Sequence, residues 1–203
     1  MTERVTLALT GASGVQYGLR LLECLVAADC RIFVMVSEAA KVVIATETDI
    51  RLNGSAENIE AFLIDYYKAR SDQIKVFEQD QWMSPIASGS GVPSQMVICP
   101  CSMGTLSSVV CGASNNLIER AADVALKERN TLILVPRESP YSEIHLENML
   151  RLTRMGAVVV PASPGFYNNP ATINDMIDFV VSRIMSQLGI EQSLMPGWGN
   201  GYL

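Results

Sequence analysis

Five short apolar runs punctuate the chain: Val5–Thr10, Arg31–Val36, Met96–Cys99, Thr131–Val135 and Ala157–Val160. Each closes on small, hydroxylated or ionic residues, and most lead into residues at helical spacing. In the first unit VTLALT runs into Gly11-Ala12-Ser13-Gly14, and Leu19, Leu22, Leu25 and Val26 follow on one helical face. Strand, tight turn and helix in alternation imply right-handed βαβ units and a mostly parallel sheet. The runs are apolar almost throughout, as strands covered on both faces require. The pattern predicts one doubly wound α/β domain over residues 1–203, with an extended tail from about 190.

The helices expected from spacing are Val15–Ala28, Glu38–Thr46 with Ser37 as N-cap, Glu57–Lys68, Met103–Val110, Leu117–Glu128, Ser142–Met155 and Thr172–Leu188. Ile74–Phe77 reads as a short strand, Gln79–Gln95 as a long loop and Pro100-Cys101-Ser102 as a turn. So long a loop in a compact domain is usually functional or disordered.

The chain has 203 residues, enough to bury a core without a disulfide or metal staple. Its net charge is −6 and no basic stripe is present, which speaks against a nucleic-acid partner. No apolar run reaches the roughly 18 residues of a membrane span. The five cysteines are odd in number, and a reducing, cytoplasmic setting is expected. Hydrophobic residues make up 49%, a surplus that suits subunit contacts or a large core.

In open α/β sheets, ligands bind beyond the carboxyl ends of the strands. The residues there are Gly11–Gly14, Ser37, Pro100–Thr105, Pro136–Glu138 and Pro161–Tyr167. Gly11–Gly14 opens a helix, where glycine admits a ligand and the helix end attracts an anion; an ordinary βα turn would look the same. Ser102-Met103-Gly104-Thr105 repeats the arrangement, again readable as a phosphate site or as plain capping. Arg120 and Lys127 point within roughly 20° of each other on one helix, which also describes a solvated basic flank. Arg137 and Glu138 directly follow a buried strand, where a functional role is favoured. A zinc site is not expected, since Cys99-Pro100-Cys101 lacks the spacing and a second pair. The dinucleotide fingerprint and a serine-hydrolase elbow are absent, and the sole histidine, His145, sits in an amphipathic helix.

Several segments together resemble the UbiX/Pad family of flavin prenyltransferases. They are TGASG (10–14), ATETD (45–49), SPIASGS (84–90), CPCSMGTLS (99–107), NNLIERAADVALKE (115–128), LVPRESPYSEIHLENML (134–150), PGFYNNP (164–170) and PGWG (196–199). The resemblance implies a Rossmann-like or flavodoxin-like fold that binds FMN without metal. It implies transfer of dimethylallyl from dimethylallyl monophosphate to N5 and then C6 of reduced FMN. The prenylated product would serve a UbiD-type decarboxylase in ubiquinone synthesis.

By the same resemblance, Gly11, Ala12, Ser13, Ser37, Ser102, Met103, Gly104, Thr105 and Arg137 would hold FMN. Ser13, Glu47, Glu138 and Lys127 would act in the reaction, Glu47 handling the proton of ring closure. Ser90, Arg120, Lys127, Arg137, Glu138, Tyr167 and Arg183 would surround the allylic phosphate. Trp82, Ser88, Gly89 and Trp198 would line the rest of the pocket. Sites of the family form where subunits meet in a homo-oligomer, a dodecamer. Two other readings stand beside it: an FMN-dependent cysteine decarboxylase, which would need a histidine after an early helix, and a non-enzymatic FMN-binding protein.

Overall fold

A computed structural model of the chain describes residues 3–89 and 91–195. Its elements run β1 (Arg4–Leu9), α1 (Val15–Ala27), β2 (Arg31–Val36), α2 (Glu38–Glu47), α3 (Ala56–Tyr67), β3 (Ile74–Phe77), β4 (Gln95–Cys101), α4 (Met103–Cys111), α5 (Leu117–Lys127), β5 (Thr131–Pro136), α6 (Glu143–Arg154), β6 (Val158–Val159) and α7 (Ile173–Gln187).

The six strands of the described residues are all parallel and lie in the order β3-β2-β1-β4-β5-β6. Strand side chains alternate between the two faces, so each face builds its own core. Val5, Leu7 and Leu9 pack with α1, α2, α3 and α7. Ala8, Met96, Ile98 and Leu134 pack with α4, α5 and α6. After β1 the chain winds first toward β2 and β3, then returns to the other side as β4. The switch point therefore lies between β1 and β4, where a crevice opens at the carboxyl ends.

Tight packing fixes α1 over that crevice. A Cβ on Gly18 would stand 2.2 Å from the Cys99 carbonyl oxygen, so only glycine lets the helix lie this close to β4. Gly14 takes a positive φ of 92° as the N-cap residue of α1, a conformation other residues rarely adopt.

Three expectations need correction. Pro100 and Cys101 belong to β4 and are not a turn; the register with β5 shifts between Ile98 and Cys101, and such an irregularity accommodates a proline that cannot donate. The 79–95 segment is only partly irregular: Gln95 begins β4, and Pro85–Ala87 forms a 3-10 turn. Burial of the Ile86 side chain in that turn contributes roughly 2 kcal/mol to docking it on α5. The last strand is shorter than expected, because β6 pairs with β5 only through Ile133–Val158 and Leu134–Val159 at the sheet edge.

Candidate functional site

The crevice at the switch point gathers residues from four strand ends. From β1 comes the turn Gly11–Gly14, with Ala12 buried and Ser13 exposed. Beside it, Ser37 donates its N–H to the Leu9 carbonyl at 3.0 Å, which ties the start of α2 to the end of β1. The Ser37 hydroxyl caps α2 by accepting from Ala40 N–H at 3.0 Å. Gly11 fits because a Cβ there would lie 2.5 Å from that of Ala39.

Beyond β4, Ser102 caps α4 by accepting from Thr105 N–H at 3.3 Å and donates its hydroxyl to Thr105 Oγ1 at 3.0 Å. Met103 is buried, while a Cβ on Gly104 would meet nothing within 4 Å, so the backbone there is open. Beyond β5, Arg137 swings back across the crevice and donates through Nε to the Ser13 carbonyl at 3.2 Å. Glu138 accepts from Ser139 N–H at 3.0 Å.

Glu47 provides the one surprise of this region. Its carboxylate accepts from Gly14 N–H at 2.9 Å and Val15 N–H at 3.3 Å. The positive end of α1 thus already holds an anion, and that anion comes from the chain itself. Partial burial works against the charged form. Hydrogen bonds from the Ser13 side chain and the two amides, with the charge of Arg137, outweigh it and hold the Glu47 carboxyl below the usual carboxylate range. At neutral pH it is ionised, and so can accept a proton.

A second group of expected residues stands apart. Arg120 donates to the Ala87 carbonyl at 3.1 Å and to Asp123 at 2.9 Å. Lys127 pairs with Glu128, whose carboxyl lies against Gly89. Ser88 and the large ring of Trp82 are exposed on the same loop. Lys127 precedes the start of β5 and Arg137 follows its end, so their backbones are separated by a six-residue strand, roughly 17–20 Å. Within one chain the structure does not bring Lys127 to Arg137.

A third group flanks β6. Ala162 donates its N–H to the Pro136 carbonyl at 3.1 Å, so the 161–167 loop begins next to Arg137. Tyr167 lies farther along it, its ring edge-on to Phe179 at 5.3 Å. Arg183 is exposed on α7 and lines a cavity of about 310 Å³ with Val158–Pro161, Ser163 and Phe179. A concavity of about 960 Å³ between α1, α3 and α7 adjoins Thr48 and Asp49 but is lined by none of the expected site residues. We place the site at the strand ends despite that larger volume, because convergent polar groups and not size mark a site. Ser90 and Trp198 lie outside the described residues.

Sequence reasoning passed over Thr10, which is 1% exposed at the base of the crevice and bonded to both Pro100 and Ser102. Its signal is a hydroxyl as the last apolar-run residue of the switch-point strand. His145 turns out to be structural: its Nδ1 accepts from Ser142 N–H at 3.2 Å and completes the capping box of α6.

Residues 1–185 match a family model described as Flavoprotein. A flavin prenyltransferase UbiX from Pseudomonas aeruginosa is 59% identical over 201 residues, spanning 99% of this chain and 96% of that one. Among solved structures, AnUbiX (PadA1) in complex with FMN and dimethylallyl pyrophosphate superposes with a TM-score of 0.87 at 36% identity, covering 98% of each chain. A dodecameric FMN-dependent UbiX-like decarboxylase from Escherichia coli O157:H7 gives 0.85 at 38% identity, covering 96% of this chain and 98% of that one.

Proposed function

The chain belongs to the UbiX family of flavin prenyltransferases, and on that premise we propose how its residues divide the work of moving a dimethylallyl group from an allylic phosphate to reduced FMN. The observation that carries the reading is the Arg137 guanidinium docked on the Ser13 carbonyl, with the Glu47 carboxylate on the same turn. It sets a cation and an anion on adjacent residues of one turn, with the Ser13 side chain hydrogen-bonded to the carboxylate.

The strand-end residues fit FMN. Ser13, Ser37, Ser102 and Thr105 offer hydroxyls, Gly104 offers open backbone, and Arg137 offers charge for a phosphate monoester. Gly11, Ala12 and Met103 complete the lining. Reduced FMN supplies the nucleophilic positions, N5 and C6, that accept the dimethylallyl group.

Cleavage of an allylic C–O bond leaves positive charge on carbon and negative charge on phosphate. Fixed cations stabilise the departing phosphate without reorganising. Arg137 and Arg183 would do this from one chain, with Tyr167 and Glu138 positioning the ester. Lys127 and Arg120, with Ser88, Gly89 and Ser90, would complete the site from a neighbouring copy, since Lys127 stands a strand length from Arg137 in its own chain. Trp82 and Trp198 would keep water from the allylic carbon. Ring closure at C6 releases a proton, which ionised Glu47 is placed to accept beside Ser13.

The donor is dimethylallyl monophosphate, which side-chain cations alone can neutralise. The prenylated flavin passes to a UbiD-type decarboxylase, and the working assembly is a dodecamer in the cytoplasm. The five free thiols suit that reducing setting. No helix of the described residues is long and apolar enough to cross a membrane. Protein incubated with reduced FMN and dimethylallyl monophosphate should yield a flavin heavier by one isoprene unit, read by mass spectrometry. An unmodified flavin with both the monophosphate and the diphosphate donor would overturn the assignment.

A further inference from the structure

Resting on the reading that FMN lies across the β1/β4 switch point, we propose that Thr10 is the positioning residue that sets the spacing between the two flavin-binding turns. The β1–β4 ladder pairs Val5 with Gln95 through to Ala8 with Ile98 and extends no farther. Past that point the two strands lead away, β1 into Gly11–Gly14 and β4 into Ser102. Thr10 stands where the regular ladder has ended, almost wholly buried.

Its hydroxyl donates to the Pro100 carbonyl at 2.8 Å and accepts from Ser102 N–H at 2.8 Å. Its own N–H donates to the same Pro100 carbonyl at 3.2 Å, and its carbonyl accepts from Ala12 N–H at 2.9 Å. One residue therefore fastens the end of β4 and the N-cap residue of α4 to the root of the first turn. A hydroxyl has a single proton to donate, and here it is committed to Pro100. The side chain thus acts between the turns and leaves ligand contact to the groups it spaces.

Loss of the hydroxyl would leave the Ser102 amide without its partner in a partly buried position. Such a group is costly to leave without a partner, and the start of α4 would shift to find one. That shift would carry Ser102–Thr105 away from Ser13. Thr10→Val keeps the branched shape and strand preference but lacks the hydroxyl. Thr10→Ser keeps the hydroxyl. Ile32→Val, buried near the start of β2, supplies a control that lowers stability without touching either turn.

Flavin-fluorescence titration and steady-state kinetics on the three variants test the proposal. T10V should raise the Kd and the KM for FMN about tenfold. Its KM for the allylic donor should stay unchanged, and T10S should restore both constants for FMN. A purely structural role would make T10V behave like the Ile32→Val control, with a lower Tm and an unmoved Kd. An unchanged FMN Kd in T10V, or a T10S variant as impaired as T10V, overturns the proposal while the parent's tight FMN binding leaves the flavin reading standing. A parent protein that does not bind FMN removes both.

Discussion

Two regions of the molecule carry the same residue types, glycines, hydroxyls and cations, yet are wired differently. At the strand ends the bonds run between distant parts of the chain: Arg137 to Ser13, Ser102 to Thr10, Glu47 to Gly14. In the block of α5 and the 79–94 loop the cations lean mostly on close neighbours, Lys127 on Glu128 and Arg120 on Asp123. Long-range bonds fix groups before a ligand arrives, and this preorganisation is what electrostatic catalysis needs. Local, half-exposed pairs contribute little stability, so Lys127 can leave Glu128 for another anion at small cost. The first region is tied together across the chain; the second holds its half-exposed cations on local partners.

The sharpest break of this contrast is a mixing experiment. Arg137→Ala should cut transfer by a factor of about 100 or more. Lys127→Ala should lose transfer while FMN affinity holds. If the two cations meet only across copies, oligomers assembled from both inactive variants will contain some sites with both cations intact. Part of the activity should then return in the mixture. No recovery in verified mixed oligomers would mean that Lys127 serves its own chain.

A smaller effect comes from adding one methyl group to each region. Gly18→Ala drives a Cβ into the Cys99 carbonyl, a backbone atom that cannot step aside, and should cost about 1–3 kcal/mol. Gly89→Ala meets the end of the flexible Glu128 side chain at 2.2 Å, which can swing away, and should cost less than about 1 kcal/mol. Equal Tm losses for the two would erase the distinction between fixed and yielding neighbours.

The smallest effect belongs to Glu47. Its folded carboxyl titrates below the ordinary value of 4.5, so its contribution to stability is present above that pH. It fades as pH falls through the lower, folded value. Glu47→Gln should therefore be less stable than the parent by roughly 0.3–1 kcal/mol at neutral pH, with the gap closing in acid. Denaturant unfolding at several pH values measures it, and a gap that widens toward low pH would contradict the assigned hydrogen bonds.

Much of this was legible before the structure. Periodicity placed every strand and helix to within a few residues, because each run had to bury one or both faces. Ser37 was readable as a cap from its place before Glu38, and it caps α2. Pro100 misled, since its local turn preference gave way to pairing of the β4 end with β5, a partner distant in sequence. Glu47 was recognised only through its motif; nothing local reveals that its carboxylate reaches back to the first turn.

The amino-acid order by itself determined the alternation of strand and helix, the parallel sheet and the small residues at strand ends, since these follow from local sterics and the need to hide apolar faces. Tertiary structure alone decided which strand ends meet at the switch point and that Glu47 fills the positive end of α1. Those outcomes depend on the winding of the chain around β1, and winding is a property of the whole sheet that no single segment encodes.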